Sequence, residues 1–316
     1  TWRTLPVSNT LSTQQSLNIG DDINVSFAHA NMTLELVATS LDETSGSRAT
    51  IGELVEFLVH IDLIEGITPV DVLFEAATGL DFVDWAVSSV GDRVIDSWSR
   101  RRRQLGTISE TAVSSDIYGL GGLGLHFDLG DVVNEHDNDD SNDFLELTIT
   151  LRVDNADSIK AQAELAVVAA LQFDDLSSVA EDIVLHSSVN VVEPKVIVTS
   201  VTSNATSHVG GSTMVFVVEA TVGTQAAAYG LKIGPFENEM VAVSDFEASH
   251  GGDDWTRADG GFLTISTLSG TSTLVLNVHV ALAETLPAGY TFEFVVGSEW
   301  QSLPEDDDAH ARFYSH

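Results

Sequence analysis

Strict alternation of apolar and polar residues is the feature that most limits what this chain can fold into. In FLELTITLRV, residues 144–153, an apolar side chain falls on every second position. Successive side chains of a β-strand point to opposite faces, so the pattern predicts a strand with one buried face. The inward set is expected to be Leu145, Leu147, Ile149, Leu151 and Val153.

Three further stretches alternate in the same way and predict strands. Their inward sets are Val55, Phe57, Val59 and Ile61; Met214, Phe216, Val218 and Val222; and Leu274, Leu276, Val278, Val280 and Leu282. The Ala-rich stretch at residues 158–173 resembles a helix in composition, but Leu165, Val167, Ala169, Leu171 and Phe173 alternate, which favours a strand. Many short strands without helices indicate an all-β protein built from β-sandwiches.

The chain also repeats itself. Residues 21–40 align without a gap on residues 181–200, at a constant offset of 160, with identities at Asp22, Ile23, Thr39 and Ser40. A fixed internal period indicates tandem copies of one structural unit. We therefore predict two tandem Ig-like β-sandwich domains, residues 33–192 and 193–316, preceded by an extended β-strand segment at residues 1–32.

Several stretches of the first predicted domain resemble a known family. TIGELVEFLV, residues 50–59, resembles the T-x-G-E-x-V-x-[FY]-x-V strand of the Ig-like conserved repeat of bacterial and archaeal surface proteins. LGDVVNEHDNDDSNDFLELTITLRVDN is similar to the second half of that repeat, and VVEPKVIVTS to its Glu-Pro junction. The family's Leu-Pro-Ala-Gly turn is missing before Leu80 and occurs instead at residues 286–289. The resemblance implies an Ig-like sandwich in an extracellular array, and the architecture is also similar to Ig-like subunits of extracellular glycosylated fibrils.

The charge of the chain restricts its partners. It carries 48 acidic against 13 basic residues, a formal net charge of -35. A field of this sign repels nucleic acid and suits a cell exterior or a saline setting. No cysteine is present, so disulfides and thiolate chemistry are excluded. No run approaches the ~20 apolar residues of a membrane span, which predicts no membrane insertion.

One acidic loop offers ligands for a cation. In residues 128–143, Asp137, Asp139 and Asp143 provide carboxylate oxygens, which Ca²⁺ prefers. The spacing is not that of an EF-hand, and a solvated loop between strands is the alternative. The aspartates at residues 306–308 form a weaker candidate of the same kind.

Two further motifs concern modification and contact. Asn24, Asn31 and Asn204 begin N-x-[ST] sequons and are the predicted sites of covalent glycans in a glycosylating organism. The run SRRRRQL contains Arg101 and Arg102, which we expect to dock on carboxylates of a neighbouring subunit. Docking on carboxylates of the same subunit and a protease-cut site are the alternatives.

Catalytic motifs are missing from the sequence. There is no H-E-x-x-H and no G-x-S-x-G. Gly119, Gly121 and Gly124 spell G-x-G-x-x-G, but a strand-like stretch follows where a nucleotide site requires a helix. Exposed tryptophans at Trp85, Trp98 or Trp255 would indicate a carbohydrate platform, whereas burial in the core is the alternative. We predict no enzyme and no cofactor apart from the calcium candidate.

The N-terminal segment, residues 1–32, leads to the functional hypothesis. TWRTLP at residues 1–6 echoes EWQSLP at residues 299–304, so the segment reads as the tail of a repeat. Its alternating strand at residues 23–30 has no partner within that repeat, and unpaired backbone groups are costly. The segment is either the stub of an upstream domain or a strand added to the preceding subunit. In the second case the contact residues are Trp2, Leu5, Ile23, Val25 and Phe27.

The sequence therefore predicts a structural subunit of an extracellular fibril or surface layer that assembles head to tail with copies of itself. The alternative is a carbohydrate-binding or adhesive Ig-like module of a cell-surface protein.

Overall fold

The computed structural model describes most of the 316 residues of the chain. The described residues are 14–18, 24–28, 30–44, 46–92, 94–96, 109–113, 119–122, 124–136, 142–172, 183–204, 208–223, 225–251, 254–269, 273–293, 295–304 and 309–316. Within these ranges the protein is all-β, as predicted: 22 strands occur and no α-helix.

The chain divides into two compact units. Unit 1 comprises Thr1–Ser40, Leu54–Arg152 and Glu164–Asn190, and unit 2 comprises Leu41–Glu53, Val153–Ala163 and Val191–His316. The change of unit at Val191 lies close to the predicted boundary at residue 192. Two short segments of predicted domain 1 belong to unit 2 instead, because they pack with its C-terminal residues.

Unit 1 contains two sheets and a hairpin. Its strands are β1 (Gln14–Asn18), β2 (Asn24–Ala28), β3 (Asn31–Thr39), β5 (Leu54–Asp62), β6 (Gly66–Ala76), β7 (Leu80–Val90), β8 (Val94–Asp96), β9 (Ser109–Val113), β10 (Gly124–Asn134), β11 (Phe144–Val153), β12 (Glu164–Gln172) and β13 (Ile183–Val191). One sheet has the order β3-β5-β11-β7. The other runs β13-β12-β6-β10-β8, and β9 also pairs with β10.

The alternation predicted for unit 1 is confirmed. On β5 and β11 every second residue is buried, including all the inward residues named above. The rings of Phe57 on β5 and Phe74 on β6 lie 6.4 Å apart, so the two sheets share one core. Gly124 opens strand β10, so the stretch that follows the glycine motif is a strand, as predicted.

Strand β12 departs from simple alternation. The Ala-rich stretch is a strand, as predicted, and pairs with β6 and β13. However, all five residues from Val167 to Leu171 are buried, so both faces of this strand are covered there. The small Ala169 and Ala170 side chains suit a strand that is packed on both faces.

The N-terminal segment forms a hairpin. Strand β2 pairs with β1 in antiparallel register from Gln14↔Ala28 to Asn18↔Asn24. The expectation that the strand at residues 23–30 has no partner within the segment is therefore wrong. Its period-two pattern was recognised, but the polar sequence QQSLN of β1 carries too little alternation to reveal the partner.

Unit 2 has the same general plan. Its strands are β4 (Arg48–Ala49), β14 (Val196–Ser203), β15 (Thr213–Val222), β16 (Ala228–Gly234), β17 (Val241–Ala248), β18 (Thr256–Ala258), β19 (Phe262–Leu268), β20 (Thr273–Leu282), β21 (Gly297–Gln301) and β22 (Phe313–Ser315). One sheet has the order β14-β15-β20-β17 and the other β18-β19-β16-β21-β22. A short 3-10 helix, Asp259–Gly261, precedes β19.

Both sheets of unit 2 contribute to one apolar core. The core joins β15 and β20 of the first sheet to β16 and β19 of the second. On β20 all five predicted inward residues are buried, whereas Phe216 on β15 is only partly buried against the core. The second sheet ends in β22, a strand of three residues at the C-terminus.

Candidate functional site

The C-terminal strand β22 forms the edge of its sheet and pairs with β21 on one side. Ser298 and His316 exchange two backbone hydrogen bonds, of 2.8 and 2.9 Å. The Ser302 N–H donates to the Arg312 carbonyl at 3.0 Å. Hydrogen-bonded pairs alternate along an antiparallel ladder, so the backbone N–H and C=O groups of the even-numbered residues of this strand point towards β21.

The odd-numbered residues of β22 face the other way. The backbone N–H and C=O groups of Phe313 and Ser315 point away from β21, and no described strand pairs with that side. Both side chains are exposed, and Phe313 is 68% exposed. This short edge therefore presents an apolar ring beside main-chain donors and acceptors.

The inner face of β22 is anchored by aromatic rings. Tyr314 stacks on Trp300, with centroids 5.5 Å apart and an angle of 12° between the rings. The Trp300 indole N–H donates to the Pro194 carbonyl at 3.1 Å, and the Tyr314 hydroxyl to Glu193 Oε1 at 3.2 Å. Burial, and after it the negative charge of Glu193, raises the pKa of the Tyr314 phenol well above its usual range.

Arg312, immediately before β22, binds four groups, which we call the Arg312 cluster. Its Nη1 donates to Glu193 Oε1 at 2.8 Å and to the Ile159 carbonyl at 2.7 Å. Its Nη2 donates to the Ala156 carbonyl at 2.5 Å, and its Nε to Asn155 Oδ1 at 2.9 Å. A planar guanidinium can fill such a fixed set of acceptors, whereas an ammonium group cannot.

Three further hydrogen bonds hold the residues around Arg312. The Asn155 amide donates to the Ala311 carbonyl at 2.9 Å. The Ser302 hydroxyl accepts the Arg312 N–H and donates to the Ile51 carbonyl, each at 2.9 Å. Although β22 has only three residues, these bonds fix its start to three separate parts of unit 2.

The T-x-G-E motif also has a structural role in unit 2. Glu53 is 1% exposed, and its Oε1 accepts the Leu41 N–H at 3.1 Å and the Thr44 hydroxyl. Its Oε2 accepts the Thr50 N–H at 2.7 Å. The carboxylate thus closes the loop between Leu41 and Thr50 and satisfies three donors.

Most of the predicted contact residues lie outside the described part of the chain. Trp2, Leu5, Ile23, Arg101 and Arg102 belong to this group. Val25 and Phe27 lie on β2, opposite Leu17 and Gln15 of β1. The structure places these two in a hairpin and leaves their predicted contact with a neighbouring subunit untested.

The residues predicted to bind calcium are also only partly described. Asp137 and Asp139 lie outside the described residues, whereas Asp143 is 3% exposed and its carbonyl accepts the Leu63 N–H at 2.7 Å. Within the described ranges no group of three or more His, Asp or Glu side chains is placed to hold a metal ion. Calcium binding stays a prediction.

The three sequons differ in their surroundings. Asn24 lies on β2 opposite Asn18, and Asn31 lies on β3 opposite Asp62, half-buried. Asn204 follows β14 and is exposed, and its Oδ1 accepts the Val215 N–H at 3.0 Å. Of the two sequon side chains that the structure describes, Asn31 and Asn204, that of Asn204 is the more accessible.

The tryptophans do not form an exposed platform in the described residues. Trp255 is 3% exposed and donates to the His250 carbonyl at 2.7 Å. Trp85 is half-buried, with its ring 5.0 Å from that of Phe127. Trp2 and Trp98 lie outside the described residues. Burial of Trp255 agrees with the core alternative for that residue.

Sequence reasoning missed Arg312 and Phe313. The available signal was a single arginine, next to an aromatic pair, in an otherwise acidic C-terminal stretch. That signal did not indicate the partners, because Asn155 and Glu193 are more than one hundred residues away in the chain.

No protein-family model matches the sequence, and no curated protein sequence matches it. Among solved structures, the chain is similar to the C-terminal domain of the antigen I/II polypeptide BspA of Streptococcus agalactiae, with 10% identity, a TM-score of 0.45, and coverage of 90% of this chain and 96% of that one. It is also similar to the C-terminal domain of the Streptococcus pyogenes antigen I/II-family protein AspA, with 8% identity, a TM-score of 0.43, and coverage of 90% and 95%.

A third similar structure is the 35 kDa C-terminal fragment of the major pilin GBS80 of Streptococcus agalactiae, with 11% identity, a TM-score of 0.34, and coverage of 91% of each chain. These identities and TM-scores are too low to assign a family or function. In the described residues, no helix has the length and apolar character needed to cross a membrane.

Proposed function

We propose that the chain is a structural subunit of an extracellular fibril or surface layer, and that it assembles head to tail through the N-terminal segment. One observation carries the proposal. Strands β1 and β2 form a sheet of their own, and neither pairs with any other described strand. A two-stranded hairpin is marginally stable in water unless it packs against something else.

A neighbouring subunit is the partner that this proposal assigns to the hairpin. The contact joins two different surfaces, the N-terminal segment of one copy and the body of the next. A contact of this kind that does not close on itself produces a filament. Main-chain pairing and apolar burial would hold subunits together although each carries a formal charge of -35.

Deletion of residues 1–29 tests the proposal, because it removes the hairpin and keeps the buried Ala30 and the whole of β3. The truncated protein should fold and remain monomeric under conditions in which the full chain forms filaments, as measured by electron microscopy and light scattering. A chain in which residues 1–29 are replaced by a Gly/Ser segment of equal length is the matched control, and it should also fail to assemble. Filaments formed as readily by either variant would rule out the proposed role of the segment.

Covalent glycans and calcium belong to the proposal as accessories. Asn204 is the sequon we expect to carry a glycan, because it is exposed at the end of a strand. The mass of the protein from its native host, compared with that of an Asn204→Gln variant, tests this. For calcium, a melting curve that chelator leaves unchanged would exclude a stabilising ion.

A further inference from the structure

We infer that the open edge of β22 is the surface that receives the N-terminal segment of a second copy of this chain. The added strand would come from residues 5–12. This inference rests on the proposed function, and it specifies where on the neighbouring subunit the contact forms.

The main chain of β22 is suited to accept a strand. Phe313 and Ser315 each direct one N–H and one C=O away from β21, which makes two donors and two acceptors at the spacing of a ladder. Unpaired groups of this kind at a sheet edge are a template for pairing with another chain.

Three of the other sheet edges are irregular and less suited to accept a strand. The register of β3 shifts between Leu36 and Ala38, that of β14 between Val198 and Ser200, and that of β17 between Val243 and Asp245. Such irregularities twist an edge and disfavour further pairing. The pairing of β22 with β21 has no shift.

The side chains on the two partners match. The stretch LPVSNTLS, residues 5–12, places Leu5, Val7 and Leu11 on one face of an extended strand and mostly small polar residues on the other. On β22 the exposed ring of Phe313 offers an apolar surface that such a face can cover.

The charge of this segment is compatible with its role as the occupant. None of the chain's 48 acidic residues falls within the first 20 positions, and Arg3 lies among them. The sequence EDDD at residues 305–308 shortly precedes β22. Residues 5–12 carry no charge and can approach this acidic stretch without the repulsion that a strand rich in carboxylates would meet.

The Arg312 cluster gives the acceptor a fixed shape before the partner arrives. Because bonds to Asn155, Glu193 and Ser302 hold the start of β22, little ordering remains for binding to complete. A pre-organised surface binds more tightly than one that must be ordered on contact.

Cysteine cross-linking gives the direct test, because the chain has no cysteine of its own. Four double variants are made, each carrying Ser315→Cys and one further cysteine in the same chain. The second substitution is Leu5→Cys, Val7→Cys, Asn9→Cys or Leu11→Cys. At least one pair should form disulfide-linked multimers on oxidation of assembled protein. Thr202→Cys, at an exposed position on edge strand β14, replaces Ser315→Cys in the control and should give no multimers.

Assembly measurements form the second arm. Phe313→Ser removes the apolar ring and Ser315→Pro removes one outward N–H, and each should raise the critical concentration of assembly about tenfold. Val209→Ser, at a residue 74% exposed in the same unit, should leave it unchanged. If Ser315→Pro lowers the melting temperature, its effect on assembly could come from unfolding. The Phe313→Ser variant and the cysteine pairs then decide whether β22 is the acceptor.

The possible failures are distinguishable. Normal assembly of Phe313→Ser, together with no cross-link from any pair, would show that β22 is not the acceptor while leaving the proposed function intact. A disulfide formed within single chains would show that the occupant is the same copy and overturn the inference. If the chain lacking residues 1–29 assembles normally, the proposed function itself fails.

Discussion

Arg312 and Glu193 form an ion pair across 119 residues of sequence, with Nη1 2.8 Å from Oε1. Both side chains are more than four-fifths buried. The same guanidinium also binds the carbonyls of Ala156 and Ile159, so its charge and its geometry are both used. This arrangement ties the last strand of the chain to a loop that lies between β11 and β12 in sequence.

The first prediction concerns the shape of the Arg312 side chain. Arg312→Lys keeps the positive charge but cannot reach all of the acceptors at once. We expect unit 2 to lose about 1–3 kcal/mol of unfolding free energy, measured by urea denaturation. Arg257→Lys is the control, because Arg257 binds the Val243 carbonyl and Glu237 among the described residues and is nearly half exposed. An equal loss in both variants would contradict the role given to the cluster.

The second prediction concerns the buried carboxylate of Glu53. Glu53→Gln replaces one acceptor oxygen with an NH₂ donor, which must then face an N–H or O–H group of Leu41, Thr44 or Thr50. We expect a loss of about 2–3 kcal/mol, because buried donors are left unsatisfied. Glu35→Gln, at an exposed position on β3, should change stability little. Thermal unfolding of the two variants compares them directly.

Gly52 supplies a third prediction. It adopts φ +85°, and a Cβ there would lie 2.5 Å from Leu303 Cδ1 and 2.6 Å from the His310 carbonyl oxygen. Gly52→Ala should therefore cost about 2–5 kcal/mol from backbone strain and overpacking together. Gly46→Ala has a similar φ of +66° with nothing within 4 Å, so it measures the backbone part alone, about 1–2 kcal/mol. Equal losses would show that the space around Gly52 is not restrictive.

Much of the fold follows from the sequence because alternation is a local signal. The inward residues of β5, β11 and β20 were predicted individually, since a strand with one buried face has a period of two. The prediction was incomplete for β12, where Val168 and Ala170 are also buried. Burial of the second face depends on packing partners, which the strand's own sequence does not specify.

The candidate site was less accessible to sequence reasoning. The N-terminal segment was selected because its alternation and its echo of residues 299–304 are visible in the sequence. The edge of β22 cannot be recognised from the sequence in the same way, because β22 has only three residues and its position at an edge depends on the order of strands in the sheet. The partners of Arg312 are likewise set by tertiary structure.

The fourth prediction concerns alkaline pH. Burial, and then hydrogen bonding to Glu43, raises the pKa of Tyr229, as burial and the charge of Glu193 raise the pKa of Tyr314. A folded-state pKa above the unfolded value, about 10, stabilises the fold below that pH, and the contribution is lost as pH rises further. Unfolding free energy should fall by up to about 1.4 kcal/mol per pH unit and per tyrosine above about pH 10.

Substitution by phenylalanine isolates the contribution of a single tyrosine to this pH dependence. Tyr314→Phe loses a hydrogen bond to Glu193, so the slope of stability against pH is compared and not its absolute value. The slope should become shallower in Tyr314→Phe. Tyr290→Phe, at a residue 42% exposed, is the control. An unchanged slope in Tyr314→Phe would exclude this tyrosine as a source of alkaline sensitivity.

The last prediction concerns salt. A formal charge of -35 gives strong repulsion within and between copies, and raising ionic strength from about 0.1 M to 1 M shortens the screening length from about 10 Å to 3 Å. Both the melting temperature and the extent of assembly should therefore increase with salt. In the chain lacking residues 1–29 the melting temperature should still rise while assembly stays absent, because screening removes repulsion without supplying a strand. Salt-induced association of the truncated chain into the same filaments would show that screening alone brings the subunits together.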